Sequence, residues 1–467
     1  MGGQFPQKED DFLPHIDEQQ QYIRMTQMPI PKLVSSMALP TVAGMLVSSI
    51  YNITDTFFVS QIGTSASAAV GVVFSIQSLI QAVGFSTGMG AGSMISRKLG
   101  EKDSESARRY VSTAFCMAVV FGGLLGLFGL LFLEPLMRLL GSTDTILPYS
   151  CDYGVYILAG APIMCSTFVL NVAMKSEGRA TLSTLGMTFG NVLNILLDPL
   201  FIFTFKMGTG GAALATVVSQ CVSFTLLMYF FKTKQDVLCL AMRYVSRKPR
   251  DYLTIIRVGL PTLVRQGCGS ISSALLNAQA AVFGDAAVAA MSIANRIYVF
   301  VRSVIVGIGQ GFQPVCGYNY GAKMSQRVRE SFRFTVFLGS VVAVTGAAVI
   351  GLLAPQLMAI FRKEDMEVIE IGTKALHLLA CSLPLLGYST YVNQMLQCLG
   401  RSGGATFLAS CRQGIFYIPL ILILPRCIGL PGVQLTQPAA EILTFLVSIP
   451  FHIWFFRSAD GLKRCEQ

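Results

Sequence analysis

The chain has 467 residues and a formal net charge of +10, with 53% apolar residues but only 13% charged ones. Soluble domains carry about a quarter charged residues, so this composition excludes a soluble protein of this size, a disordered chain and a nucleic-acid-binding domain with a basic face. It is typical of a polytopic membrane protein.

The first 30 residues are polar and mixed in charge, and we predict that they form a cytoplasmic tail. A helix that spans a bilayer needs about 20 mainly apolar residues. Twelve runs of this kind follow, and each predicts a membrane-spanning helix: 33–58, 67–94, 110–133, 151–173, 181–205, 209–231, 254–283, 286–316, 332–353, 372–397, 404–425 and 433–456.

The two halves of the sequence repeat each other. When Leu39 and Pro40 are aligned with Leu260 and Pro261, the polar loop 100–108 falls on 321–329 without a gap. Matches at spaced glycine and proline positions indicate an internal duplication. Each half holds six spans, an even number, so the repeats are parallel and we expect an all-α fold of two six-helix bundles.

The duplication divides the chain into domains. We predict an N-lobe at 31–231, a basic cytoplasmic linker at 232–251, a C-lobe at 252–456 and a cytoplasmic C-terminal tail at 457–467.

Basic residues predict the orientation. With the N-terminus inside, 26 of the 35 lysines and arginines lie on the cytoplasmic side, Arg412 among them, and six lie outside. The remaining three, Arg265, Arg296 and Arg302, lie within spans. The positive-inside rule therefore predicts that both termini are cytoplasmic.

Two carboxylates in the N-lobe lie within predicted spans. Asp55 shares one helix face with Tyr51 and Asn52, and Asp198 ends a stripe of polar residues on the fifth span. A carboxylate within a bilayer costs about 2.5–3.5 kcal/mol on insertion scales, so each is a candidate functional residue. The alternative is that these acids lie near helix ends and are simply solvated or hydrogen-bonded.

Three more polar residues could face the same interior: Asn194, Asn171 and Thr216. Carboxylate, amide and hydroxyl oxygens suit a proton or a hard cation. If the ion is Na⁺, Asp55 and Asp198 would be its charged ligands. The equivalent of Asp55 in the second half is Leu276, and Asp198 also lacks an acidic equivalent. This asymmetry favours a coupling site in the N-lobe alone.

The C-lobe carries a different polar set. Glu441 in the last span could pair with one of the intramembrane arginines, or it could contact a cationic substrate. Six residues of the two lobes are candidates for a substrate cavity: Tyr51, Asn52, Gln266, Asn295, Arg296 and Glu441.

The sequence contains no GxxxxGK[ST] phosphate loop and no HExxH or GxSxG motif, and its three histidines and scattered cysteines form no zinc-ligand pattern. We therefore predict no ATP-driven engine in this chain and no cofactor besides a coupling ion.

Three motifs resemble the multidrug and toxic compound extrusion family, in its DinF/MepA-like branch. They are LP-x10-YN-x2-D at 39–55, N-x2-N-x3-DP at 191–199 and GGAALAT at 210–216.

The resemblance implies a V-shaped pair of bundles with an N-lobe cation site at Asp55, Asn194, Asp198 and Thr216, and with Asn171 nearby. Pro40 matches a proline at which the first helix bends during transport. Other branches carry a glutamate where this chain has Gly269, which supports the N-lobe site.

The resemblance implies a monomeric antiporter of the bacterial cytoplasmic membrane. Inward H⁺ or Na⁺ would drive the export of amphipathic or cationic compounds, antibiotics among them. One alternative is a flippase for lipid-linked oligosaccharide or peptidoglycan precursors, which should have a more basic cavity. The other is a membrane-embedded enzyme or scaffold, which predicts no ion-driven flux.

Overall fold

The computed structural model describes residues 18–233, 238–361 and 365–457, and these residues form helices and connecting turns without a strand. The α-helices are α1 Glu18–Gln27, α2 Ile30–Ser60, α3 Thr64–Gly100, α4 Ser104–Leu131, α5 Leu133–Leu139, α6 Leu147–Ser176, α7 Ala180–Pro199, α8 Gly208–Thr233, α9 Pro249–Ala281, α10 Asp285–Gly321, α11 Ser325–Phe361, α12 Met366–Cys398, α13 Ser402–Ser410, α14 Tyr417–Ile428 and α15 Leu430–Arg457. Short π-helical turns at Leu200–Thr204 and Cys411–Ile415 extend α7 and join α13 to α14.

The twelve predicted spans lie along these helices. Within the described ranges, ten helical stretches are long and apolar enough to cross a membrane by length and composition. The other two long helices are α9 and α15, which carry polar side chains such as Gln266 and Glu441. The observed helices confirm the predicted all-α fold class.

Each half of the chain folds around its own apolar core. The helix α6 is central in the first half, where it packs against α3, α4, α7 and α8. Its repeat equivalent α12 packs against α10, α11, α13 and α15 in the second half. The two halves therefore share one packing arrangement as well as one pattern of helices.

The turns repeat with the helices. Lys102 and Lys323, which occupy equivalent positions in the repeat, both have a φ of 60°. Gly178 and Gly400, which are equivalent after a one-position gap in the alignment, also have positive φ, at 96° and 75°. Left-handed backbone is uncommon outside glycine, so its recurrence at a lysine in both halves is strong support for the duplication.

The two halves meet closely at one end of the molecule. We call this the basic end; it holds the last turns of α3 and α10 and the basic residues Arg97, Lys98, Lys102, Lys323 and Arg327. A Cβ added to Gly100 would meet the carbonyl oxygen of Tyr318, and one added to Gly321 would meet that of Arg97. These two contacts occupy equivalent positions in the repeat, so the two lobes are related by a pseudo-two-fold axis.

Part of the predicted tail is helical and docked. Met25 lies in α1 with its carbonyl oxygen accepting from Asn319 Nδ2 at 3.1 Å, and Met28 O accepts from Arg327 Nη2 at 2.7 Å. On the other lobe, Gln21 Nε2 donates to Glu177 O. The segment predicted as a polar tail over 1–30 therefore includes a helix that bonds to both lobes. Residues 1–17 and 458–467 lie outside the described residues.

The linker between the halves runs along the N-lobe. Its described part contains a short 3-10 helix at Met242–Tyr244. The backbone N–H of Ser246 donates to Thr113 Oγ1 at 2.9 Å, and Arg109 pairs with Asp251 at 3.1 Å. These bonds hold the start of α9 against α4.

Candidate cation site and inter-lobe cleft

Two helices of the N-lobe carry the acids. Asp55 lies near the end of α2 that is remote from the basic end, and Asp198 lies at the corresponding end of α7. Pro199 has no N–H to continue the α-helical bonding, and a π-helical turn follows it at Leu200–Thr204. Asp198 is completely buried at this irregular helix end, whereas Asp55 is half-buried.

Asn194 fixes one side of the Asp198 carboxylate. With its amide oriented to satisfy both groups, Asn194 Nδ2 donates to Asp198 Oδ2 at 3.1 Å. Its oxygen accepts from the backbone N–H of Thr216 on α8 at 3.0 Å. Thr216 Oγ1 in turn donates to Ala212 O at 3.2 Å. Three residues of the predicted site are therefore joined in one buried network.

Two tyrosines and a glutamine complete the surroundings of the acids. The hydroxyl of Tyr51 interacts with Thr216 and with Gln77 of α3, and that of Tyr153 on α6 also interacts with Thr216. All three side chains are at most 8% exposed. Tyr51 was expected in the substrate cavity, but the structure places it beside the acids. Sequence reasoning missed Tyr153 and Gln77, since no spacing links them to Asp55.

The two carboxyl groups lie within hydrogen-bonding reach of each other. Asp55 Oδ1 and Asp198 Oδ1 are both buried, and neither has a hydrogen-bond partner. Carboxylate oxygens only accept, so a proton or a cation held between the two acids would satisfy both oxygens. Among the described residues, no group of three or more His, Cys, Asp and Glu side chains could hold a metal ion.

Asn171 lies apart from the acids. Its Nδ2 donates to Ser183 O at 3.3 Å, and Ser183 Oγ donates to Asn171 O at 2.7 Å, which ties α6 to α7 near the basic end. Ser183 and Asp198 lie about four helical turns apart on α7, or about 22 Å at the rise of an α-helix. The structure therefore removes Asn171 from the predicted cation site and gives it a packing role.

Pro40 lies within the continuous helix α2, which runs past it to the acid site. Asn52, on the same helix, is exposed, and its Nδ2 donates to Ser48 O at 2.7 Å. Its amide thus bonds to its own helix, and Asn52 is not part of the cleft described next.

A cleft of about 560 Å³ lies between the lobes, in the half of the molecule remote from the basic end. Gln266 and Asn295 line it, as expected for a substrate cavity, and so does Gly269. Arg265 and Arg302 also line it, from the middle of α9 and of α10. The opposite wall is formed by residues of α3: Gly71, Phe74, Ser75, Ser78 and Gln81.

Arg296 and Glu441 do not line this cleft, in contrast to the prediction. Arg296 is exposed on α10. Glu441 is completely buried behind the cleft wall, where its Oε1 accepts from Tyr298 Oη at 3.2 Å and Gln437 Nε2 at 2.8 Å. Its charge lies beside Arg412, whose Nε is 4.0 Å from Oε1.

Arg412 was counted among the cytoplasmic basic residues, and that prediction is wrong. It lies in the π-helical turn Cys411–Ile415, is 6% exposed, and donates from Nη1 to Thr390 Oγ1 at 3.0 Å. A buried guanidinium keeps its hydrogen bonds satisfied inside the protein, so an arginine inside an apolar run need not mark a loop.

Comparison with known proteins decides the family. The MatE family model matches residues 40–200 and again residues 261–423, so it covers more than half of the chain. This chain belongs to the MatE family. The two matches begin at Pro40 and Pro261, which are equivalent in the repeat seen in the sequence and in the turns.

Relatives and solved structures resemble this MatE protein over nearly its whole length. A multidrug export protein MepA of Staphylococcus saprophyticus is 29% identical over 93% of this chain and 95% of its own. A MATE crystal structure in complex with MaL6 has a TM-score of 0.89 at 26% identity, covering 95% of this chain and 99% of that one. The outward-facing conformation of a multidrug resistance MATE transporter of the MOP superfamily has the same TM-score and identity and covers 98% of that chain.

Proposed function

We propose that this MatE protein is a cation-coupled antiporter that exports amphipathic drugs across the bacterial cytoplasmic membrane. The observation that carries the coupling is the pair of buried oxygens, Asp55 Oδ1 and Asp198 Oδ1, that have no donor. The proposed export of drugs rests on family membership and on the MepA relatives, whose name is multidrug export protein.

The acid pair can act as a switch between two charge states. Loss of water favours the neutral form of a carboxylic acid, and two neighbouring acids disfavour the state in which both are charged. One H⁺ or Na⁺ would relieve this repulsion, and Asn194 and Thr216 would hold the loaded geometry. A membrane potential of about 100 mV supplies roughly 2.3 kcal/mol for each charge that moves inward.

We place the basic end in the cytoplasm, which puts both chain termini there as well. The cleft then faces outward, while the glycine contacts at the basic end close the path to the cytoplasm. The proposed transporter works as a monomer whose two lobes are the predicted segments 31–231 and 252–456. A flippase for pyrophosphate lipids should have a more basic cleft than two lining arginines provide, so drug export is the function we propose.

Flux from proteoliposomes tests this function. We expect that vesicles containing the protein export cationic rhodamine 6G or anionic sulforhodamine B only when a pH or Na⁺ gradient is imposed. Asp198→Asn and Asp55→Asn should each lower the gradient-dependent rate by more than about tenfold, because a single acid cannot provide the paired site. Asp144→Asn, at an acid whose side chain is 87% exposed, is the matched control and should keep the wild-type rate.

Two results would contradict the proposal. One is an absence of gradient-dependent flux for both dyes. The other is wild-type flux from correctly folded Asp198→Asn protein, since this variant lacks one of the two acids that form the paired site.

A further inference from the structure

The charges on the wall of the inter-lobe cleft are all positive. Its lining includes two guanidinium groups, Arg265 and Arg302, and no aspartate, glutamate or lysine among the described residues. Both arginines lie near the middle of long helices, where a charged side chain is costly unless it faces water, a partner or a ligand. Charged residues in such positions mark substrate and ion pathways.

One acid lies behind this wall and does not balance the arginines around it. Glu441 lies 4.0 Å from Arg412 and its charge also acts on Arg302, so one carboxylate faces more than one guanidinium group. Arg265 is close enough to both Arg302 and Arg412 to be affected by their charges, which adds to the positive potential. Asp55 and Asp198 belong to the N-lobe site and are not part of the cleft lining. Three arginines against one glutamate leave this cluster with a net positive charge, and two of the arginines line the cleft.

An apolar groove adjoins the cleft. It has a volume of about 710 Å³ and lies between α3, α4 and α9, with Leu79, Phe128 and Leu260 among its lining residues. Ser75 on α3 lines both the groove and the cleft, so the two spaces are neighbours. A ligand that fills both would have an apolar body and a polar group at one end.

We propose that the cleft binds amphipathic organic anions. An acidic group such as a carboxylate, sulfonate or phosphate pairs with Arg265 and Arg302, and the apolar body of the ligand lies in the adjoining groove. Guanidinium groups match such acids through paired N–H···O bonds. This preference is opposite to the cationic compounds that the family resemblance led us to expect. As an account of the exported substrate it rests on the proposed function, but binding itself does not require transport.

A pair of dyes with one aromatic core and opposite charge tests the inference. Sulforhodamine B is a net anion and rhodamine 6G is a cation, and both have a xanthene ring system. Fluorescence anisotropy of each dye with the purified full-length protein in a neutral detergent gives the two dissociation constants. We expect sulforhodamine B to bind at least about tenfold more tightly than rhodamine 6G, and its binding to weaken as salt is raised.

Variants locate the site. Arg265→Gln and Arg302→Gln should each weaken sulforhodamine B binding by about tenfold or more, since each removes a charged hydrogen bond. Arg296→Gln is the matched control, because this exposed arginine lies on the same helix as Arg302 but outside the cleft. It should bind as the wild type does. Short-chain phosphatidic acid, used as a competitor, distinguishes an acidic lipid from a soluble acid as the source of the anionic group.

The inference is overturned if rhodamine 6G binds as tightly as sulforhodamine B or more tightly, a comparison that needs only the wild-type protein. It is also overturned if both glutamine variants bind the anion normally. The two proposals can fail separately. If neither dye is exported under a gradient but the anion still binds and its binding still depends on the two arginines, the proposed function is wrong and the anion site stands.

Discussion

Asn171 and Asn194 show how one residue type acquires two roles in this protein. Both are buried asparagines of the N-lobe, and the sequence places both in the predicted cation site. Only Asn194 reaches Asp198, whereas Asn171 bonds to Ser183 O on the neighbouring helix. Asn393, the repeat equivalent of Asn171 in the second half, bonds to Ala405 O in the same way at 2.5 Å. The recurrence indicates that this bond serves the shared lobe architecture.

Alanine variants separate the two roles. Asn171→Ala should lower the free energy of unfolding by about 0.5–1.5 kcal/mol, because it removes a buried hydrogen bond between α6 and α7. Its transport should need the same H⁺ or Na⁺ concentration as the wild type. Asn194→Ala should raise the ion concentration required for half-maximal flux. Thermal unfolding in detergent and ion titration of dye flux measure both properties; an altered ion requirement in Asn171→Ala alone would contradict this assignment.

Among the elements, α1 is one that the sequence did not predict. Its ten residues are too few and too polar to give a spanning pattern, and their bonding partners lie far away in the chain, at Glu177 and Asn319. Periodicity in one segment carries no information about such partners. The long apolar helices, by contrast, were predictable because lipid imposes the same length and composition on each of them.

Removal of α1 should loosen the basic end. The helix α1 contacts Glu177 on one lobe and Asn319 on the other, so its loss removes bonds that join the lobes. We expect faster amide hydrogen exchange in segments 97–103 and 317–324 of a protein without residues 18–27, measured by mass spectrometry. A protein without residues 1–17 is the control and should exchange as the full chain does. Unchanged exchange after loss of α1 would show that it does not hold the lobes together.

At the scale of the whole molecule, the spacing of repeated residues predicted more of the architecture than the amino-acid composition did. The repeat of glycines, prolines and polar loops predicted two equivalent bundles, and the packing of α6 and α12 agrees with it. The positions of the arginines could not be predicted in the same way. Arg296 was predicted within a span and Arg412 on the cytoplasmic side, yet Arg296 is exposed and Arg412 is buried beside Glu441. Which face a polar side chain takes depends on packing between distant helices.

The glycine contacts at the basic end give a prediction for the whole assembly. Gly100→Ala and Gly321→Ala should each destabilise the closed arrangement by about 1–3 kcal/mol, because a methyl group would press on a carbonyl of the other lobe. The two effects should be similar in size, since the contacts are equivalent. Melting temperatures in detergent measure them, with Gly123→Ala as a control at a glycine whose Cβ would meet nothing within 4 Å. A large effect at one position and none at the other would contradict the proposed symmetry.

The same pair of contacts bears on how the protein arose. Gly100 meets Tyr318 and Gly321 meets Arg97, so each half offers the other the same surface. An interface of this self-complementary kind is what two identical subunits form around a two-fold axis. A six-helix ancestor could thus have assembled as a homodimer, with gene fusion later joining its subunits. Fusion freed the copies to diverge, and the acids now lie in one half and the unpaired arginines in the other.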